Sequence, residues 1–208
     1  MHNDDAMTTY EDAGVNIAAG DQASRAAYEH AAATFASRQG MVGEPVLEKD
    51  GYAGFLDMGD YYLVMSDDST GTKIDIASEM GQYDTLGYDL LAMVADDVVC
   101  VGAEVIALSN CLDVPQVDPA MVDALMSGLS KACSEQKIVV PAGEIAEVPD
   151  AVNRGVWSAT AVGIVAKDRV INPTSIAPGK TVITLRSGVA RSNGFSLIRK
   201  ILSDQVGG

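Results

Sequence analysis

The stretch from Thr85 to Leu112 constrains the fold most. Residues 85–102, TLGYDLLAMVADDVVCVG, read as a helix, and residues 104–112, EVIALSNCL, as a largely apolar strand. Leu90, Leu91, Met93, Val94, Val98, Val99 and Val101 take most of the helix surface, so it must be covered on most sides. Three acids interrupt it. At about 100° per residue, positions seven apart differ by about 20°, so Asp89 and Asp96 share a face and Asp97 lies on the neighbouring row. Carboxylates in a mostly buried helix are costly unless met by cations or a metal, which makes these acids candidates for function.

The remaining segments alternate between helix and strand patterns. Residues 10–20 read as an ordered loop, and 22–38 as an alanine-rich helix ending before Gly40. Strands are expected at Tyr52–Met58 and Tyr61–Ser66, either side of Gly59-Asp60. A polar, flexible turn, DDSTGTK (Asp67–Lys73), follows. Pro119–Gln136 is the next helix, with Asp118 as N-cap and Pro119 at its first position. Ile138–Val140 is a short buried strand running into the loop PAGEIAEVPD, and Val156–Ala166 is a further strand. Asn172–Lys180, with two prolines, is a connector; a strand at Thr181–Arg186 and a helix from about Phe195 to Ser203 follow. Clustered alternation of this kind fits α+β or a mixed α/β sheet.

Composition excludes several classes. The chain has 208 residues, 48% hydrophobic and 21% charged, which suits a folded domain with a real core. With 29 acidic against 14 basic residues the formal charge is −15, a field that repels nucleic acid and anionic membranes. No export signal or transmembrane run is visible, so a cytoplasmic location with Cys100, Cys111 and Cys133 as reduced thiols is expected. His2 and His30 are the only histidines, too little material for a histidine zinc site or a Ser-His-Asp triad. Chemistry here falls to carboxylates, lysine, backbone amides and a bound metal.

Four short segments offer those parts. DDSTGTK combines Asp67 and Asp68 with hydroxyls, a glycine and Lys73, the groups that hold a metal–phosphate unit, although the Walker A spacing is absent. The Asp96-Asp97 pair is the second, and Glu144 and Glu147 of PAGEIAEVPD are the third. In RSGVARSNGFSLIRK, Ser192 or Asn193 can cap a helix whose first amides are open to an anion.

The order of YEDAGVNIAAG, DDSTGTK, YDTLGYDLLAMVADDVVCVGAEV, PAGEIAEVPD and RSNGFSLIRK resembles the phosphoribosylformylglycinamidine cyclo-ligase (aminoimidazole ribonucleotide synthetase) family over Tyr10 to about Leu202. The resemblance implies a PurM-like N-terminal α/β domain whose mixed sheet forms a barrel across a homodimer, followed by the start of a C-terminal α/β domain. It divides the chain into 1–20, a segment closing over the site, 21–170, the N-terminal domain, and 171–208, the opening of the C-terminal one. It also implies ATP with Mg2+ and ring closure of formylglycinamidine ribonucleotide after phosphorylation of its formyl amide oxygen. Carried over by motif, Asp68, Asp96 and Asp97 would hold the metal. Asp12, Gly14, Asp68, Gly71, Thr72 and Lys73 would contact ATP. Glu144, Ser192, Asn193 and Gly194 would contact substrate, and Lys73, Asp97 and Arg191 would serve catalysis.

This chain departs from the family pattern at several motif positions. Ser69-Thr70 replace Gly-Val, Asp96 an asparagine, Asn110 an aspartate, Ala142 a glycine, Ile145 a threonine and Arg191 a histidine. These changes and the short C-terminal part leave a second reading. In it the chain is a diverged or split-gene subunit that binds nucleotide or a separate C-terminal chain, with little activity alone.

Overall fold

The computed structural model describes residues 8–46 and 53–206, in two compact units: residues up to Ser37 with those from Asn193 onward, and Arg38–Ser192. The expected strand start at Tyr52, His2 and the final glycines Gly207 and Gly208 lie outside the described residues.

The larger unit is one mixed sheet with helices on one face. Its strands are β1 (Glu44–Val46), β2 (Gly54–Asp57), β3 (Tyr61–Ser69), β4 (Glu104–Val114), β5 (Val139–Glu147) and β6 (Val156–Ala166). They lie in the order β1-β2-β3-β6-β4-β5, all antiparallel except the β4–β5 pair. That parallel pair needs a crossover, supplied by a helix over Pro119–Glu135. Strand alternation sets the two faces. Along β6, Trp157, Ala159, Ala161 and Val165 are buried on one side, while Ser158, Thr160 and Val162 face the other and are only partly covered.

The covered face packs against Leu86–Cys100 and Pro119–Glu135, with Leu90, Val94, Val98, Leu125 and Leu129 meeting Val64, Leu108, Leu112 and Trp157. Two glycines let these helices touch backbone to backbone. A Cβ on Gly87 would lie 2.1 Å from the Leu129 amide nitrogen, and one on Gly128 2.1 Å from the Asp84 carbonyl oxygen. Asp118 caps its helix as expected, its Oδ1 accepting from the Ala120 N–H at 2.9 Å.

The helices in chain order are α1 (Ile17–Ala33), α2 (Lys73–Met80), α3 (Leu86–Cys100), α4 (Pro119–Glu135) and α5 (Phe195–Val206). Three differences from the sequence reading have local causes. Helix α1 starts at Ile17, inside the expected loop, because Asn16 accepts from the Ala19 N–H at 2.9 Å and caps it. Strand β3 runs three residues further, to Ser69, and α2 begins at Lys73, so the supposedly flexible turn is part strand and part helix. Residues 181–186 form no strand; Val182, Ile183 and Leu185 are each at least 85% exposed, and no described strand pairs with them.

Candidate functional site

The strand-to-helix corner after β3 is held from beneath by Thr70. This residue is 1% exposed, and its N–H donates to the Trp157 carbonyl at 2.9 Å. Gly71 then turns at φ +51° with open space where a Cβ would be. The Lys73 N–H donates back to the Thr70 carbonyl at 3.1 Å and opens α2. Asp68 is exposed, with its Oδ1 accepting from the Ser69 N–H at 2.7 Å. Thus Asp68, Gly71, Thr72 and Lys73 gather at one corner. Lys73 itself does not stand in an exposed loop, as the sequence suggested. Its side chain is 13% exposed and its ammonium is paired with Asp89.

The three acids of α3 have separate surroundings. Asp89 meets Lys73, and Asp97 Oδ2 accepts from the Ser66 hydroxyl on β3 at 2.9 Å. Asp96 is exposed, so its charge needs no buried partner. Asp89 and Asp96 share an azimuth, but seven residues are roughly 10 Å of axial rise, enough to carry Asp96 beyond the reach of α2. Among the described residues no three His, Cys, Asp or Glu side chains cluster as a ready metal cage, so Asp68, Asp96 and Asp97 are not gathered as one. Magnesium does not require such a cage. It commonly uses one or two carboxylates and takes its other ligands from water and phosphate; exposed Asp68 can offer one carboxylate at the corner, while half-buried Asp97 is engaged by Ser66 through Oδ2.

The expected loop carrying Glu144 is in fact the edge strand β5. Register aligns Ser69, Ser158, Cys111 and Glu144 across four strands, on the uncovered face. Three strand spacings put Glu144 roughly 14 Å from Ser69. Glu144 lines a hollow of about 370 Å³ there with Asp67, Ser109, Cys111, Ser158 and Thr160. Thr160 donates to Asp67. Burial first, then the Asp113 and Glu144 charges, push the Cys111 thiol above its ordinary range, so it stays protonated and weakly nucleophilic. On the covered face Asn110 Oδ1 accepts from the Trp157 indole N–H at 3.1 Å. A Cβ at Gly143 would lie 2.9 Å from Asn110 Nδ2.

The smaller unit carries the other motif residues. Asp12 accepts from the Thr9 N–H at 2.8 Å and hydroxyl at 2.7 Å; these bonds, with help from the Lys200 charge, hold its carboxyl below the usual range. Gly14 (φ +81°) completes the turn, and Gly194 (φ +88°) heads α5, with Tyr10 Oη 3.5 Å from where a Cβ would point. Hence Tyr10 and Gly194, from opposite ends of the sequence, are neighbours. Asn193 belongs to this unit, whereas Arg191 and Ser192 belong to the larger one.

Residues 50–165 match the family described as AIR synthase related protein, N-terminal domain. The chain belongs to the AIR synthase related family. It is 37% identical over 201 residues to the phosphoribosylformylglycinamidine cyclo-ligase of Thermococcus kodakarensis and 40% identical to that of Pyrococcus furiosus, covering 97% of this chain and 60% of each relative. The enzyme of the same name from Methanocaldococcus jannaschii is 36% identical, over 95% of this chain and 55% of that one. Among solved structures, PurLQS from Thermotoga maritima matches with TM-score 0.50 and 20% identity, over 62% of this chain and 22% of that one. At that identity the likeness speaks for the fold alone. The chain thus spans about 60% of the length of the curated relatives.

Sequence reasoning within this AIR synthase related chain placed Asp67 only in the DDSTGTK turn, not in the hollow with Glu144, and missed Thr160, Ser158 and Tyr10. For Asp67, Thr160 and Ser158 a signal existed. Had β3 been extended to Ser69, period-two alternation would have put Asp67 and Asp68 on opposite faces, and only Asp67 in the Glu144 hollow. Tyr10 had no such signal, since its neighbour Gly194 is 184 positions away.

Proposed function

We propose that this chain takes part in ATP-dependent closure of formylglycinamidine ribonucleotide to aminoimidazole ribonucleotide in purine biosynthesis. The observation that carries this is the Asp68–Lys73 corner, an open Gly71 turn between strand and helix, in a chain 37–40% identical to cyclo-ligases. The amides of Gly71 and Thr72 and the Lys73 ammonium would hold ATP phosphate oxygens. Asp68 and Asp97 would hold Mg2+, with Asp96 available only by reorientation; the metal would neutralise phosphate charge. Glu144, Ser192, Asn193 and Gly194 would orient the substrate, Arg191 would supply a fixed positive charge near it, and Asp12 and Gly14 would close over ATP. Such chemistry depends on positioning and charge more than on a protein nucleophile, which fits the protonated Cys111.

The sheet's uncovered face, where Tyr61, Met65, Val139 and Val156 are exposed, supports pairing with a second copy as a homodimer. The division at about residue 170 into an N-terminal domain and the opening of a second domain is part of the same reading. No described helix is long and apolar enough to cross a membrane, which is compatible with a cytoplasmic setting.

Calorimetric titration with a non-hydrolysable ATP analogue, with and without Mg2+, tests the corner. Binding should require the metal, and Lys73→Ala should weaken it at least tenfold, about 1.4 kcal/mol. Circular dichroism checks the fold, and Asp89→Asn controls for the lost ion pair. Equal affinity in Lys73→Ala would remove the corner from the nucleotide site.

A further inference from the structure

A second concavity lies on the helical side, away from the corner. It is a groove of about 520 Å³ between α3, α4 and the start of β4. Glu104 opens β4 opposite Ile164, whereas Asp113 pairs with Val156 near the corner. Nine residues of strand separate the two ends, roughly 30 Å. Of the candidate metal, ATP and substrate residues, Asp96 alone lines the groove among the described residues.

Its chemistry is specific. Leu91, Val99 and Ile138 give it an apolar floor and wall, and Val99 is 51% exposed on the outer turn of α3. Asp96, Glu104 and Glu135 stand around that floor, one each from α3, β4 and α4, and among the described residues no lysine or arginine lines it. Glu135 accepts from the Tyr88 hydroxyl at 3.1 Å; burial first, and then this carboxylate, raise the Tyr88 pKa, with Lys131 the nearby counterweight. Apolar surface left open between α3 and α4, ringed by carboxylates from three elements, matches an occupant with apolar side chains along one stripe and cations beside them. The formal charge of −15 would steer such an occupant toward the protein.

We propose that this groove docks a basic amphipathic helix of a partner protein. Leucine-like side chains fill the floor over Leu91 and Ile138, and flanking Lys or Arg residues pair with Asp96, Glu104 and Glu135. Apart from Asp96 this docking shares no residue with the nucleotide corner, and it stands whether or not the chain binds ATP.

The test uses the full chain, 15N-labelled, and a synthetic helical peptide of leucine and lysine spaced for one apolar stripe. A peptide of the same composition in an order that destroys the stripe is the control. The expected result is amide shifts concentrated in Tyr88–Cys100 and Ala132–Val139, with affinity that falls as salt rises. Val99→Arg should cut affinity roughly tenfold or more, and exposed Glu104→Gln a few-fold. The idea is overturned if the control peptide binds as well, if shifts spread over the whole acidic surface, or if Val99→Arg and Glu104→Gln both bind normally. Concentration-dependent self-association abolished by Val99→Arg would also overturn it, because the occupant would then be a second copy.

Discussion

Helices α1 and α4 have the same length, 17 residues, yet they do opposite things. Each begins on an Asx cap: Asn16 accepts from Ala19 N–H and Asp118 from Ala120 N–H, both at 2.9 Å. Each also carries an internal glycine. But α4 buries Leu125, Gly128, Leu129, Ala132 and Cys133, while α1 buries nothing. Caps and propensity start a helix; the stripe of large apolar residues decides whether a core forms on it. In α1 that stripe is mostly alanine, whose methyl groups offer little area to remove from water.

The sharpest way to break this contrast is to fill the α4 glycine. Gly128→Ala puts a methyl 2.1 Å from a backbone carbonyl, which no rotamer can relieve. Overpacking usually costs about 1–3 kcal/mol, and a backbone clash in the layer joining α3 to α4 should reach or exceed about 3 kcal/mol. Thermal unfolding of the larger unit should move down by roughly 10 °C. A shift below about 2 °C would mean that the helices separate cheaply and that their close approach is not what fixes the layer.

Legibility in the sequence follows the same division. Helices α3 and α4 and strand β6 were readable nearly to the residue because their apolar periodicity is long and unambiguous. Helix α2 was not, since eight residues with only Ile74 and Ala77 buried give too little period to detect. For the candidate site, motif order named Asp68, Gly71 and Lys73 together, and the corner does join them. The Lys73–Asp89 pair was invisible, because a contact across 16 positions between two helices has no local pattern. The exposure of Asp96 was hidden for a related reason: a helical wheel shows azimuth but not what stands beside each turn.

Removing the caps should give a smaller, split effect. Asp118→Ala costs about 1 kcal/mol, and because α4 carries core residues the loss should appear in global unfolding of the larger unit. Asn16→Ala deletes an equivalent bond but unravels a helix that buries no side chain. Its loss should appear as faster amide exchange in the first turns of α1 with the global midpoint nearly unchanged. Equal global shifts from both variants would contradict the contrast, since they would make α1 as much a part of the cooperative core as α4.

The smallest effect has the opposite sign from the first. Gly20 lies inside α1, and a Cβ there would meet nothing within 4 Å. Alanine in an open helical position is favoured over glycine by roughly 0.5–1 kcal/mol, because less backbone freedom is lost on ordering. Gly20→Ala should therefore slow amide exchange through α1 by about two- to five-fold, the equivalent of that energy. The same chemical change at Gly128 destabilises. The two outcomes differ only in what stands opposite the new methyl: solvent in α1, the Asp84 carbonyl in α4. If Gly20→Ala instead sped exchange, some surface would have to pack closely on that face of α1, and its missing core would lie in whatever supplies that surface.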